Sequence, residues 1–350
     1  MFARRQRRWS FGPHCVTALL FASALVGCTA KTDADYRADI TAAMHDSILD
    51  DLDAMIAHAR NLQSAAPSGP WVASRDADAL RDMREAWKKM RQRWEHIEGA
   101  IGALFPGVDD SLDARYEELI DDGDDNPFDD LGFVGMHAIE RILYSDRIRP
   151  EIVAFESTLP GFKPAAYPAT DDEAVAFKTE LVQLVIDDAM ALRKQWKPTA
   201  INIGTAYQGL AGLMSEQKEK VELAVTGEEE SRYANITLFD LRCNLEGTRK
   251  VYGLFREWIH SKSSGRNSDS ALSDKFVQLE ALYQLTDDDA LPEPPEDWRS
   301  DAPTPENLAT PFGTLWKSLR EQTDPHSSGS VVYEMNQIAT LLALPTFVAR

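Results

Sequence analysis

His137 and Glu140 are the residues of this chain whose types and spacing most clearly suggest a chemical role. They lie in the run Leu131-Gly-Phe-Val-Gly-Met-His-Ala-Ile-Glu-Arg-Ile-Leu-Tyr144. The run favours a helix, on which residues three apart lie on one face, so both side chains can point at one ligand. An imidazole and a carboxylate presented from a buried helix are typical metal ligands. Gly135 extends the pattern to Gly-x-His-x-x-Glu, which is more specific than the bare pair, although a structural His–Glu pair remains the alternative. We expect four apolar neighbours to seat this helix in a core: Val134, Ile139, Ile142 and Leu143.

Two more carboxylates, Glu95 and Glu98, lie three residues apart on a helix predicted over residues 76–100. Carboxylates that border an apolar face are costly to bury unless a positive charge compensates them. The alternative is an exposed pair, salt-bridged to Arg91 or Arg93. Asp113 has a simpler explanation as a helix-start residue, because aspartate favours the first turn. The apolar stripe beside the glutamates comprises Leu80, Met83, Trp87, Met90, Trp94 and Ile97.

Several common motifs are missing from the sequence. It contains no His-Glu-x-x-His, no Gly-x-Ser-x-Gly and no Gly-x-x-x-x-Gly-Lys, so a common hydrolase or NTPase is not indicated. The acidic run 121–127 lacks the glycine and glutamate spacing of an EF-hand, and we interpret it as a solvated turn. Asp240 and Asn244, four residues apart, are expected to make structural hydrogen bonds at helix ends or at the bundle seam.

The N-terminus predicts export. A basic stretch with four arginines at positions 4–8 precedes an apolar stretch at 16–26 that is too short to span a bilayer. The segment Leu25-Val-Gly-Cys28 looks like a bacterial lipobox, so Cys28 is expected to carry a lipid; an ordinary signal peptide cleaved elsewhere is the alternative. We therefore predict a lipoprotein signal peptide over 1–27, a polar tether over 28–35, and a protein anchored to a bacterial membrane and facing the periplasm.

The chain is strongly acidic, with a net charge of −20. The predicted signal holds four arginines and no acid, so its removal would take this charge to −24. Such a balance argues against nucleic acid as a partner and is compatible with handling cations. Cys15 lies in the predicted signal and Cys28 in the lipobox. Because only Cys243 remains, neither a disulfide framework nor a cysteine-based zinc site is expected.

Helical periodicity runs through most of the remaining sequence, and no Val/Ile/Thr alternation is long enough for a sheet. The Pro- and Gly-rich stretch 150–168 is expected to connect two halves. The sequence thus predicts an all-α fold with two four-helix-type bundles in tandem, over residues 36–160 and 161–350. We predict a first helix from about residue 36 that ends at the proline-containing stretch 67–70, before the helix over 76–100. Further helical segments are predicted near 113–120, 175–196, 203–225, 236–259, 272–285, 306–320 and 331–344, with a polar loop at 262–270.

Three segments in order resemble the imelysin-like family, particularly its EfeO- and EfeM-type members. They are Trp94-Glu-His-Ile-Glu-Gly-Ala100, Phe105-Pro-Gly-Val-Asp-Asp-Ser-Leu-Asp-Ala-Arg115 and Gly135-Met-His-Ala-Ile-Glu-Arg-Ile-Leu-Tyr144. A later stretch, residues 233–247, resembles that family's second-bundle segment, and the whole resemblance covers about residues 36–345. It implies an all-α fold of two bundles, an exported protein and a link to iron uptake.

The resemblance also implies a metal site. Carried over residue by residue, the site comprises Glu95, Glu98, Asp113 and His137, with Glu140 as a fifth ligand or as a partner that orients a ligand. Iron is favoured, while Zn, Mn, Ca and Cu also suit an oxygen-rich set with one imidazole. The implied partners are an iron permease or other uptake components.

Our leading interpretation is therefore a lipid-anchored periplasmic protein that binds iron and delivers it for uptake. A metallopeptidase is the enzymatic alternative, with Glu140 as the general base acting on a metal-bound water, although the two-histidine helix typical of such sites is missing. The third alternative is a module that binds a protein or another small ligand between the bundles.

Overall fold

The computed structural model describes residues 30–120, 126–285 and 288–349, and most of these residues are in helices joined by loops. Within these ranges no β-strand forms, and the predicted all-α class is confirmed. A π-helical turn, Phe177–Leu181, joins α7 to α8. The α-helices are α1 (Asp33–Ala65), α2 (Ala77–Leu104), α3 (Pro106–Asp113), α4 (Tyr116–Leu119), α5 (Gly135–Leu143), α6 (Pro150–Glu156), α7 (Asp171–Ala176), α8 (Val182–Gln195), α9 (Ile203–Glu222), α10 (Thr237–Gly253), α11 (Arg256–His260), α12 (Gly265–Tyr283), α13 (Pro305–Leu308), α14 (Pro311–Thr323) and α15 (Val331–Leu341).

Several predicted boundaries differ from the structure, and two of the differences have a local reason. Helix α1 begins at Asp33, two residues before the predicted end of the tether, because Thr32 and Asp35 form a capping box. Asp113 was expected to start a helix but ends α3, which instead begins at Pro106, since proline suits the first helical position. Helix α12 begins at Gly265, inside the predicted polar loop.

Helix α2 lies at the centre of the packing. It contacts α1 along one side and α9 and α10 along another, while α8 packs on α1. Its predicted apolar stripe is buried throughout, and the buried apolar side chains of both halves belong to one continuous cluster. The fold therefore places the carboxylates of α2 against helices from the second half of the chain. The division into tandem bundles stays a prediction.

Close contact between α2 and α10 depends on Gly247. A Cβ atom at this position would overlap the main chain of His96 on α2. A glycine therefore lets the two helix backbones approach closely, and it brings the polar face of α10 up to the carboxylates of α2.

The predicted signal peptide, the lipidation of Cys28 and most of the acidic turn at 121–127 lie outside the described residues. Among the residues that are described, no helix combines the length and the apolar character needed to cross a bilayer.

Candidate metal centre

Helix α5 is positioned by its first residue, Gly135. This glycine has φ +86, and a Cβ atom there would lie 2.8 Å from the carbonyl oxygens of both Ser111 and Leu112 near the end of α3. Only glycine adopts this conformation at so close an approach without strain. The indole of Trp87 donates a 3.0 Å hydrogen bond to the carbonyl of Met136 and holds the same turn from α2. The glycine of the Gly-x-His-x-x-Glu pattern thus brings the start of α5 against the end of α3.

The consequence is that His137 faces Asp113. His137 is buried, and its Nε2 atom lies 3.2 Å from Asp113 Oδ1 and 3.6 Å from Glu230 Oε1. Among the described residues, this Nε2 atom has no hydrogen bond of acceptable geometry. A buried imidazole nitrogen between two carboxylates must therefore carry a proton or bind a cation, because a lone pair facing two anions is repelled.

Glu140 sets which nitrogen of His137 is available. Its Oε2 lies 2.8 Å from His137 Nδ1, while its Oε1 accepts hydrogen bonds from the backbone N–H groups of Tyr233, at 2.9 Å, and Ala234, at 2.7 Å. A carboxylate at Nδ1 requires that nitrogen to be the donor, so in the neutral ring Nε2 is the nitrogen available to a ligand. With both oxygens already used, Glu140 fits the orienting role better than that of a fifth ligand.

Asp113 is held at the other side of His137 by two residues of α2. The indole of Trp94 donates a 2.7 Å hydrogen bond to Asp113 Oδ2, and the guanidinium of Arg91 pairs with Oδ1. The oxygen that faces His137 Nε2 is thus the one paired with Arg91. As the last residue of α3, Asp113 can point away from that helix towards α2 and α5.

Glu95 and Glu98 are joined by an amide from the second half of the chain. Asn244 on α10 donates through Nδ2 to Glu95 Oε2 at 2.5 Å and to Glu98 Oε2 at 2.8 Å. Glu95 is fully buried and pairs with Arg91 at 2.5 Å, whereas Glu98 pairs with Lys220 at 3.0 Å. The expected pairing of Glu95 with Arg91 thus occurs, but in the interior and not on an exposed face. Asn244 was expected to make structural hydrogen bonds, and the groups that it bonds are these two carboxylates.

Glu230 completes the cluster and is a site residue that was not predicted from the sequence. One ligand atom from each of Asp113, His137 and Glu230 lies within 4.8 Å of the others, and the same holds for Glu95, Glu98 and Asp113. Glu230 lies between α9 and α10 in the run Glu228-Glu229-Glu230, where three consecutive acids are typical of a solvated surface. The only sequence signal for Glu230 was its position three residues before the segment 233–247, which resembles the family's second-bundle segment.

Negative charge exceeds positive charge in this cluster. Arg91 and Lys220 are the basic residues that contact its carboxylates, and buried carboxylates need such compensation. Burial raises the pKa of Glu95 well above its usual value, although Arg91 opposes the shift. Burial lowers the pKa of His137, but the hydrogen bond to Glu140 and the nearby Glu230 carboxylate outweigh it and the net shift is upward. Both shifts favour the protonated forms of these groups, whose protons would compete with a metal cation.

A cavity of about 620 Å³ opens next to the cluster. Of the described residues lining it, Arg115 and Lys220 are the basic ones; Arg115 pairs with Glu118 at 3.1 Å, and Lys220 pairs within the cluster. Carboxylates from the cluster and from the cavity wall form a path from solvent that attracts cations. The acidic lining residues are Glu98, Asp109, Asp110, Asp113, Glu118, Glu216, Glu219 and Glu230.

The donor set suits a metal ion. One group of ligand atoms comes from Asp113, His137 and Glu230, and a second from Glu95, Glu98 and Asp113. Carboxylates combined with an imidazole nitrogen match ions such as Fe, Mn and Zn, and no cysteine belongs to either group among the described residues. The fold and this cluster together define an all-α protein with a buried carboxylate–imidazole centre beside an acidic cavity.

Comparison with known proteins agrees with that class. The family model described as Imelysin matches residues 48–297, and the chain belongs to this family. The expected family is thereby confirmed.

Individual relatives are distant. The chain is 26% identical over 215 residues to an "Efem/EfeO family lipoprotein" of Staphylococcus haemolyticus, covering 61% of this chain and 63% of that protein. It is 24% identical over 207 residues to a protein of the same name from Staphylococcus aureus, covering 58% and 61%. It is 27% identical over 173 residues to the "Iron uptake system component EfeO" of Yersinia pseudotuberculosis, covering 49% and 37%. The chain thus spans less than two thirds of each of these relatives.

Proposed function

We propose that this protein is an exported, lipid-anchored metal-binding protein that captures iron and passes it to an uptake system. Glu95, Glu98, Asp113, His137 and Glu230 would supply the ligands, and Glu140 would orient His137. The anchor would be a lipid on Cys28, on the periplasmic side of a bacterial membrane, and the partners would be an iron permease or other uptake components. The function consists of coordination and release, with no bond made or broken in a substrate.

The observation that carries this proposal is the environment of His137. Glu140 holds its Nδ1 atom, and its Nε2 atom faces Asp113 and Glu230 without a hydrogen bond from the described residues. A cation at this point would accept the imidazole lone pair and neutralise both carboxylates together. The Yersinia relative is named as a component of an iron uptake system, which supports iron as the cargo.

The metallopeptidase alternative is less well supported by the same geometry. A general base must be free to accept a proton from the metal-bound water. Both oxygens of Glu140 are already committed, one to His137 and the other to two backbone N–H groups. Cleavage of an unstructured protein that is lost in Glu140→Gln would nevertheless favour a peptidase over our proposal.

The test is a titration of the purified chain with Fe, Zn, Mn, Ca and Cu, combined with elemental analysis. We expect tight iron binding by the wild type and a loss of affinity in both Glu95→Ala and His137→Ala. Asp110→Ala is a matched control, because Asp110 lines the cavity without belonging to either ligand group. Unchanged affinity in both site variants would refute the metal role. An intact fold that binds no metal would favour a module for a protein or another small ligand.

A further inference from the structure

Arg91 occupies the space that a metal would need. Its NH2 atom lies 2.5 Å from Glu95 Oε1 and 2.8 Å from Glu230 Oε1, and its NH1 atom pairs with Asp113 Oδ1. The Asp113 and Glu230 oxygens are the same ones that approach His137 Nε2. The guanidinium and a bound cation would therefore compete for the same atoms.

Arg91 can neither lose its charge nor leave the interior. A guanidinium stays protonated in proteins, and the side chain of Arg91 is fully buried. Once a cation took its three carboxylates, Arg91 would be repelled by that cation and would lack a partner, which is strongly unfavourable for a buried charge. Lys220 differs because it lines the cavity, where its ammonium can turn towards water.

Asp240 lies near the Nε atom of Arg91 and has unused hydrogen-bonding capacity. It is fully buried on α10, its Oδ1 atom is 3.8 Å from Arg91 Nε, and it belongs to neither ligand group. Over the described part of the chain, neither oxygen of Asp240 nor the Nε atom of Arg91 has a hydrogen-bond partner. A buried donor and a buried acceptor that face each other slightly beyond bonding distance each lose the free energy of a hydrogen bond.

We infer that Asp240 is the alternative partner of Arg91. When a metal binds Glu95, Asp113 and Glu230, the guanidinium of Arg91 pairs with the Asp240 carboxylate instead. A shift of Arg91 by less than the length of one bond would close the contact through Nε and allow a paired interaction with the carboxylate. Asp240 is thus a positioning residue that acts on the metal through Arg91. This inference rests on the proposed function, because it requires a cation to displace Arg91.

The test compares the affinity for Fe²⁺ under anaerobic conditions in wild type, Asp240→Asn and the control Asp269→Asn. Asparagine keeps the shape of the side chain and removes its charge. We expect about 10- to 100-fold weaker binding in Asp240→Asn, the usual cost of losing a residue that supports metal ligands. The unfolding free energy of the metal-free variant should not fall, because a buried carboxylate without hydrogen bonds is removed. Asp269, which bonds Tyr252 and His260 away from the cluster, should have no effect on affinity.

A double-mutant cycle separates this mechanism from a direct effect of Asp240 on the metal. In an Arg91→Gln background the charge that Asp240 would receive is gone, so adding Asp240→Asn should cost no further affinity. An equal loss in both backgrounds would overturn the inference. Unchanged affinity in Asp240→Asn, with or without a loss of stability, would also overturn it and leave the proposed function intact. Absence of Fe²⁺ binding by the wild type would refute the proposed function and this inference together.

Discussion

His137 Nδ1 lies 2.8 Å from Glu140 Oε2, one helical turn further along α5, and the other oxygen of that carboxylate is bound by two backbone N–H groups just before α10. A single residue therefore fixes the imidazole of one half of the chain against the main chain of the other. Because the contact selects Nε2 as the free nitrogen, the relationship links the packing of the helices to the chemistry of the centre.

Weakening this contact should weaken metal binding without removing a ligand. In Glu140→Gln the one amide oxygen can serve either His137 Nδ1 or the two backbone N–H groups. If the amide NH₂ faces Nδ1, the ring must take the tautomer with its proton on Nε2, which blocks the nitrogen that would bind the metal. We predict about 10- to 100-fold lower affinity by competition with a chelating dye. Glu246→Gln, at an exposed glutamate on α10, is the control and should match the wild type. Equal affinities for all three proteins would contradict the orienting role.

Gly135 should be the most sensitive glycine of the centre. Gly135→Ala forces a positive φ on alanine and pushes its Cβ against two carbonyls, so we predict a loss of about 1–3 kcal/mol in the free energy of unfolding in urea. The same change at Gly107 on α3 meets no atom within 4 Å and should be neutral or stabilising. If both variants lost equal stability, the close approach of α5 to α3 would not be the cause.

Metal binding should release protons. Burial raises the pKa of Glu95, and the Glu140 and Glu230 carboxylates raise that of His137 against burial, so any proton that these groups hold must leave when they coordinate a metal. We predict a binding heat that varies with the ionisation enthalpy of the buffer, and an affinity that falls as the pH is lowered from 8 to 6. Binding with no net proton release and a flat affinity over this range would contradict the assignment of these ligands.

Asp51 should contribute to stability in a pH-dependent manner, independently of the metal centre. Burial alone would raise its pKa, but contacts with His96 and Lys250 lower it from 3.8 to about 2. Asp51 also bonds Arg93 at 3.1 Å, so it ties α1 to α2 and α10. A carboxylate whose pKa is lowered by folding stabilises the fold at a pH above its pKa in the unfolded state. This stabilisation is lost as the pH falls through its pKa in the folded state.

The experiment on Asp51 compares the unfolding free energies of wild type and Asp51→Asn between pH 7 and pH 2. We predict a difference of about 2 kcal/mol that is constant above about pH 5 and shrinks between about pH 5 and pH 2. Asp46→Asn, at a largely exposed residue of the same helix, serves as the control. A difference that persists unchanged down to pH 2 would mean that Asp51 acts through its shape and not through its charge.

The helices of the centre could be predicted because their signals are local. The apolar stripe of α2 and the apolar neighbours of His137 repeat at helical spacing, and both helices form where the sequence indicates. The spacing of His137 and Glu140 also predicted one shared face, and their side chains do meet. Spacing cannot predict that Glu140 orients His137 and does not itself face the candidate site, because this role depends on the backbone N–H groups of residues 233 and 234.

The contribution of the second half of the chain could not be predicted in the same way. Glu230 meets Arg91 from 139 positions away, and Asn244 meets Glu95 from 149. Such contacts depend on how α2 packs against α9 and α10, and no local pattern encodes that packing. Consecutive acidic residues, like those before Tyr233, also predict a solvent-exposed segment, and only the fold shows which of them is buried.

The most direct test of the central claim is anomalous diffraction at the iron edge from crystals loaded with iron. We predict a single strong peak within bonding distance of His137 Nε2 and of oxygens from Asp113 and Glu230, with Glu140 still on Nδ1. A peak confined to the exposed carboxylates of the cavity, with His137 Nε2 unbound, would contradict the assignment of this cluster as the metal centre.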